Sequence, residues 1–281
     1  MNNYVFSDLA CERENGQNCI THIISRDIKK AVSLSNAPTG NKNRHVTFFT
    51  PKLWLMDDAT FVKLQKEIAF EISKMLRGEN NFKAEKNISV LVVGLGNPHL
   101  TPDALGAETV KMITVNRHTV RENNAPCISA ITPDVMGNTG IDTVDAVEAY
   151  VSVTKPSAII AVDSLMARSY ERLASTVQIS NAGVSPGSGI ALKKRAIDYK
   201  TFGVPVISIG VPMAINSSTL ISEAVAKGGI SEPTDNFIEL LENSLNFIVT
   251  PKETDILLRS ASLLLSSSID RAMLYLNSNS F

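Results

Sequence analysis

Apolar positions fall along this chain in two rhythms. From Asp58 to Arg77 they recur at helical spacing, with Phe61, Leu64, Ile68, Ile72 and Met75 on one stripe and charges opposite. That pattern predicts an amphipathic helix that stops at Gly78. Elsewhere they come in short unbroken runs, at Ile88 to Val93, at 157–163 (SAIIAVD) and at 204–212 (VPVISIGVP). Such runs predict strands buried on both faces. Further strands are expected at 45–50, at 113–118 and at the start of 176–190, the last running into a glycine-rich loop. Helices are expected at about 103–112, at 143–152 with Thr143 as cap, at 164–174 and at 234–248. A last helix at 251–277 is opened by the capping box Thr250-Pro251-Lys252-Glu253. Residues 129–143 read as loop. Residues 1–44 are polar and weakly periodic, and read as an N-terminal arm or peripheral layer apart from a domain over 45–281. Strands alternating with helices predict a single-domain α/β fold, a mostly parallel central sheet with flanking helices.

The stretch Asn87 to Gly106, NISVLVVGLGNPHLTPDALG, organises this pattern. Gly94 and Gly96 let the backbone turn sharply at the strand end, and Pro98 and Pro102 delay helix formation. Thr101 and Pro102 suit an N-cap and first helical position, with Asp103 in the positive first turn. Open α/β sheets bind ligands at the carboxyl ends of their strands, so Asp103 is a functional candidate. Asp163 ends the next buried strand, beside Gly96-Asn97 and Gly210-Val211 on the same sheet edge. Two carboxylates brought together cannot both ionise easily, so one holds a proton while the other acts as base. That pairing suffices to activate a water and protonate a leaving amine. A lone first-turn Asp is more often structural; two at strand ends of one sheet favour chemistry.

Composition narrows the partners. Among 281 residues, 27 are basic and 28 acidic, a net charge of -1, which gives no electrostatic case for nucleic acid or membrane. The N-terminus has no apolar core of signal-peptide length, and no segment approaches a membrane span. Cys11, Cys19 and Cys127 lack any CxxC spacing, as in a reduced, cytoplasmic compartment. The four histidines, His22, His45, His99 and His118, form no HExxH or HxH pair, so no metal or other cofactor is expected. Gly94-Leu95-Gly96 lacks the third glycine of a dinucleotide fingerprint. Pro186-Gly187-Ser188-Gly189 lacks Walker spacing and reads as a tight loop or a wall facing substrate. Neither Ser164 nor Ser188 has the context of a serine nucleophile. Arg168, expected one helical turn beyond Asp163, is placed to orient a carboxylate.

Several ordered segments resemble one known family. They are LVVGLGNPHLTPDALG, Asn116-Arg117-His118, PDVMGNTGIDT at 133–143, AVDSLMARSYERL, TVQISNAGVSPGSGI, VPVISIGVP and FIVTPKETD at 247–255, with an N-terminal echo, FSDLACE. Together they are similar to the spore germination proteases. The resemblance implies an atypical aspartic endopeptidase on a phosphorylase- or hydrolase-like α/β scaffold related to hydrogenase maturation proteases. It implies small acid-soluble spore proteins as substrates, action in the forespore or spore core, and a homotetramer. The family's proposed catalytic aspartates fall on Asp103 and Asp163, with Asn97, Thr101, Arg168, Gly187 and Gly189 as supporting positions. This chain departs from the pattern at Ala107, where proline is usual, at Asn116 and at Asn181-Ala182.

The resemblance also implies a zymogen that removes a leader by cutting itself between an acid and an aliphatic residue. Asp8-Leu9-Ala10-Cys11-Glu12 fits, with cleavage after Asp8, although Phe6 replaces the usual arginine. Two other readings compete: a catalytically silent regulatory or binding homologue, and a nickel-dependent maturation-type protease using Asp103 and His99.

Overall fold

The computed structural model describes residues 7–13, 19–36, 42–78, 88–119, 126–186, 195–229, 234–243 and 247–277. In chain order the elements are α1 (Ala10–Arg13), β1 (Cys19–Ile23), β2 (Lys29–Asn36), β3 (Lys42–Phe49), α2 (Asp58–Gly78), β4 (Ser89–Gly94) and α3 (Leu105–Met112). Then come β5 (Cys127–Ile131), α4 (Met136–Thr139), α5 (Thr143–Thr154), β6 (Ala158–Ala167), β7 (Thr176–Ser180) and α6 (Tyr199–Phe202). Finally there are β8 (Val206–Asn216), α7 (Ser217–Lys227), α8 (Asp235–Asn243), β9 (Ile248–Val249) and α9 (Thr254–Asn277).

All the described strands join one sheet, ordered β1-β2-β3-β7-β8-β6-β4-β5, with β9 on the end of β8. The sheet is mixed. Strands β8, β6, β4 and β5 run parallel, whereas β1, β2, β3, β7 and β8 form an antiparallel run. The weakly periodic N-terminal stretch thus carries two strands with no signal of their own, and β3 crosses the expected boundary at residue 44. Its period is weak because β1 is an edge strand, with Ile20 and Ile23 exposed, and so lacks a fully buried face.

The larger core lies on one face of the sheet. Val90 and Val92 of β4, Ile160 and Val162 of β6, and Ile207 and Ile209 of β8 pack there against α2, α3 and α9. The stripe read from the sequence is the contact surface of α2: Leu64, Ile68, Ile72 and Met75 are buried and Phe61 is partly so. The opposite face is covered less completely. Leu91, Val93, Ile159 and Ala161 meet Val144 and Val147 of α5. Asp163 continues the Ile159–Ala161 side of β6, because side chains alternate along a strand. The acid therefore emerges where this smaller core stops.

Several expected elements differ. Residues 164–174 were expected to be helical, but β6 continues to Ala167, pairing with Val211–Ile215 of β8 across a register shift at Leu165/Met166. A long parallel neighbour overrides the local helical pattern there. Residues 113–118 form no strand; instead the amides of Asn116 and Arg117 both donate to the Ile128 carbonyl, and Asn116 clasps Pro126 and Ile128 through its side chain. The segment read as loop from residue 129 contains the end of β5 and the short α4. The caps also shift. Asp142, rather than Thr143, accepts the Val144 amide at the start of α5. Helix α9 begins one turn after Thr250, with the Leu257 amide donating to the Glu253 carbonyl. Among the described residues, no helix is long and apolar enough to cross a membrane.

Candidate active site

Asp103 is held by a tight return of the chain after β4. Residues Thr101–Asp103 make a single 3-10 turn, and α3 starts at Leu105 with Ala104 at its N-cap position. The sequence expectation of Thr101 as cap of one continuous helix is therefore corrected. Thr101 offers only its carbonyl, to the Ala104 amide, and the proline at the second turn position keeps the turn short. Freed from the helix, the Asp103 carboxylate folds back, and its Oδ2 accepts the Asn97 amide at 2.7 Å. Gly96 makes this return possible. Its φ is +94°, and a Cβ there would lie 2.0 Å from the Asp103 carbonyl oxygen and 2.8 Å from its Oδ1.

Asp163 lies in a register row that crosses three strands, Gln178 of β7, Gly210 of β8 and Asp163 of β6. Residues in such a row face the same way. Gly210 carries no side chain between the other two, and a Cβ there would sit 2.5 Å from the Asp163 carbonyl. A cleft of about 520 Å³ opens over this row, lined by Asp163, Asp103, Gln178, Gly210, Ser164 and Asp8 among others. The two aspartates thus meet in one cavity, as their strand-end positions imply. The Ser164 amide donates to Asp163 Oδ1 at 2.9 Å, and the buried Ser164 hydroxyl has no partner among the described residues.

The electrostatics separate the two acids. Burial, then the Asp103 charge, then the Asp8 charge push the Asp163 carboxyl up to about 8. Asp103 is also raised, chiefly by burial and further by Asp134, but the Asn97 hydrogen bond favours its ionised form. Both acids are thus pushed toward the protonated form, and among the described residues only Asp103 is pulled back by a residue other than its chain neighbour, the Asn97 amide at 2.7 Å.

Asp134 is a residue the sequence reading passed over. It sits at φ 64°, in the left-handed region that Asp tolerates better than most residues. Its Oδ1 accepts the Val135 amide and Asn138 Nδ2, and Asn138 Nδ2 also donates to Asn97 Oδ1 at 3.2 Å. Asn97, a supporting candidate, is thereby fixed between Asp103 and the start of α4. The signal was present in the segment around PDVMGN, but nothing in its spacing links residue 134 to residue 103.

Arg168 does not join the cleft. Because β6 continues through Ala167, five residues of extended chain carry it roughly 16 Å along from Asp163. It lines a separate cavity of about 550 Å³ with Arg172, Glu223 and Lys227. This second cavity is of similar size, but its acids are matched by cations, with Lys227 on both Glu171 and Glu223. Gly187 and Gly189 lie outside the described residues. His99 is exposed, and among the described residues no group of three or more His, Cys, Asp or Glu side chains is arranged to hold a metal ion.

Residues 7–10 enter the cleft. The Asp8 amide donates to the Met166 carbonyl at 3.0 Å, and the Met166 amide donates to Asp8 Oδ2 at 2.9 Å. Gln178 then takes hold of the following peptide: its Nε2 donates to the Asp8 carbonyl at 3.3 Å and its Oε1 accepts the Ala10 amide at 2.6 Å. Leu9 is fully buried and Ala10 nearly so.

A family model described as germination protease matches residues 12–227, beginning just after this docked segment. Proteins named germination protease from Clostridium acetobutylicum and Caldanaerobacter subterraneus subsp. tengcongensis are 33% and 36% identical to this chain. The alignments cover 83% and 82% of this chain and 79% and 78% of those proteins. A protein of the same name from Bacillus subtilis is 38% identical over 70% of this chain and 54% of its own length.

Proposed function

The chain belongs to the germination protease family, and we propose that it is an endopeptidase that degrades small acid-soluble spore proteins with Asp103 and Asp163 as its catalytic pair. One observation carries the mechanism: a desolvated carboxyl, pushed up to about 8, shares a cavity with a second carboxyl group whose ionised form a backbone amide favours against burial. In this reading Asp103 removes a proton from the attacking water. Asp163 delivers its proton to the substrate carbonyl oxygen. As the tetrahedral centre collapses, Asp103 passes the proton taken from water to the leaving amine, and Asp163 recovers its own from the hydroxyl that becomes the new carbonyl. The four residues 7–10 support a second step, removal of a leader by cleavage after Asp8. The acid of the expected cleavage sequence shares the cleft with Asp163, whose proton affinity its charge raises. Uncut, the same segment fills the cleft and holds activity down.

Purified chain is incubated with an acid-soluble spore protein, and its own intact mass is followed in parallel. Cleavage of the spore protein and loss of residues 1–8, both abolished by Asp103→Asn and by Asp163→Asn, are the expected results. A chain that stays whole yet digests at full rate would rule out the leader, and one that cuts nothing would favour the silent homologue. Light scattering tests the homotetramer that the family resemblance implies.

A further inference from the structure

We propose that Gln178 reads the substrate backbone across the bond that is cut, its Nε2 on the carbonyl of the acidic residue and its Oε1 on the amide two residues later. The inference rests on the reading of the cleft given above, with residues 7–10 standing where a substrate peptide would lie. Three observations carry it.

The first is the bidentate contact itself. One primary amide spans the Asp8–Leu9 bond, donating to the carbonyl before it and accepting from the Ala10 amide after it. These are main-chain groups, which every peptide offers whatever its side chains. The second is placement. Gln178 shares its register row with Gly210 and Asp163, so its side chain and the acid face the same cleft about two strand spacings, roughly 10 Å, apart. Only a glycine stands between them, leaving room for a main chain. The third is the company it keeps. Val177 and Ile179 on either side are fully buried in the larger core, which pins the strand and aims Gln178 at the cleft.

The two contacts have different consequences. Charge develops on the carbonyl oxygen of the acidic residue as water attacks, so a donor already within hydrogen-bond distance favours the transition state over the ground state. The contact to the later amide is equal in both states and serves affinity and register. Met166 completes the frame, its amide on the Asp8 carboxylate and its carbonyl accepting the Asp8 amide. The cleft thus reads an acidic side chain with a backbone amide and the adjoining backbone with Gln178.

The test is a double-mutant cycle between the full-length chain and a peptide copying residues 5–14, made with and without an N-methyl group at the position of Ala10. The chain's own segment competes equally with both peptides, so it cancels from their ratio. On the wild type, N-methylation is expected to weaken binding by about tenfold, the worth of one hydrogen bond. On Gln178→Ala the penalty should fall below about twofold. Gln178→Glu keeps the acceptor but lacks the donor, so it should retain the binding penalty while kcat drops about 10²–10³-fold, as for loss of one oxyanion donor. Equal penalties on wild type and Gln178→Ala, or no binding of the peptide at all, would overturn the proposal. Coupling in binding without any cleavage would leave the clamp standing and remove the proteolytic reading. Cleavage with no coupling would do the reverse.

Discussion

Two buried carboxylates in this molecule have opposite surroundings. Glu71 of α2 is 1% exposed, and it meets Lys30 of β2 at 3.0 Å and Arg44 of β3 at 2.8 Å. Burial raises its proton affinity, but the Arg44 and Lys30 hydrogen bonds and charges outweigh that, and its carboxyl is held below the usual range. Among the described residues, Asp163 accepts one amide hydrogen bond at 2.9 Å, and the charges of Asp103 and Asp8 that act on it are both acidic. The first arrangement ties α2 to the antiparallel half of the sheet. The second, at the ends of the parallel strands, works against the stability of the fold and leaves a proton poised at neutral pH. A buried acid with two cations is a fastener, and a buried acid among acids is placed for proton transfer.

Removing the charge at each place should therefore give opposite results. The largest expected effect is on activity. Asp163→Asn and Asp103→Asn each lower kcat by about 10²–10⁴-fold, the usual worth of general acid–base catalysis. Asp163→Asn should also raise the melting temperature at pH 8, since it removes a charge that the fold holds at a cost. A variant that cuts normally would sink the pair, and one that melts lower would sink the contrast with Glu71.

Glu71→Gln is expected to leave cleavage by the folded fraction unchanged while destabilising the chain by on the order of 3 kcal/mol, as two cations lose a buried partner. Chemical denaturation measures this. A neutral result would mean that water satisfies Lys30 and Arg44 as well as the carboxylate does.

The pH dependence sharpens the comparison further, because the two signs differ. The raised Asp163 keeps its proton in the fold after the unfolded chain has lost it. Its destabilising contribution is therefore absent below about pH 4, grows as pH rises, and is complete above about 8. The depressed Glu71 stabilises above the ordinary glutamate range and loses that contribution as pH falls through its folded value. Melting temperatures of wild type and Asp163→Asn should diverge between about pH 4 and 8 and run parallel above it. Activity should fall on the alkaline side as Asp163 loses its proton. A constant difference across that range would contradict the shift.

The smallest effect is expected at Arg168→Ala, within about twofold in kcat/KM, because its side chain lines the charge-matched cavity away from the cleft. A larger loss, measured on the same substrate, would tie that cavity to catalysis.

What could be read from the sequence alone was what depends on neighbours a few residues away. The α2 stripe, the buried runs of β4, β6 and β8, and the sharp turn at Gly94–Gly96 follow from local periodicity and backbone sterics. The parallel order of those strands brought Asp103 and Asp163 to one edge without any coordinates. Tertiary structure decided the rest. Residues Ser164–Ala167 became strand because β8 offered them a partner, and that one extension moved Arg168 out of the site. Asp103 stands outside the expected helix, folded back onto the Asn97 amide. Gln178 and Asp134 stand in segments that carry the family resemblance, but nothing local gave either a role, since a single polar residue in a strand or loop acquires its role only from what the fold sets opposite it. For Gln178 that was the docked Asp8–Ala10 segment, 168 positions away in the chain at its Ala10 contact. Periodicity reaches as far as a helix or a strand; the distances between a carboxylate and the groups that set its charge are closed only when the chain folds.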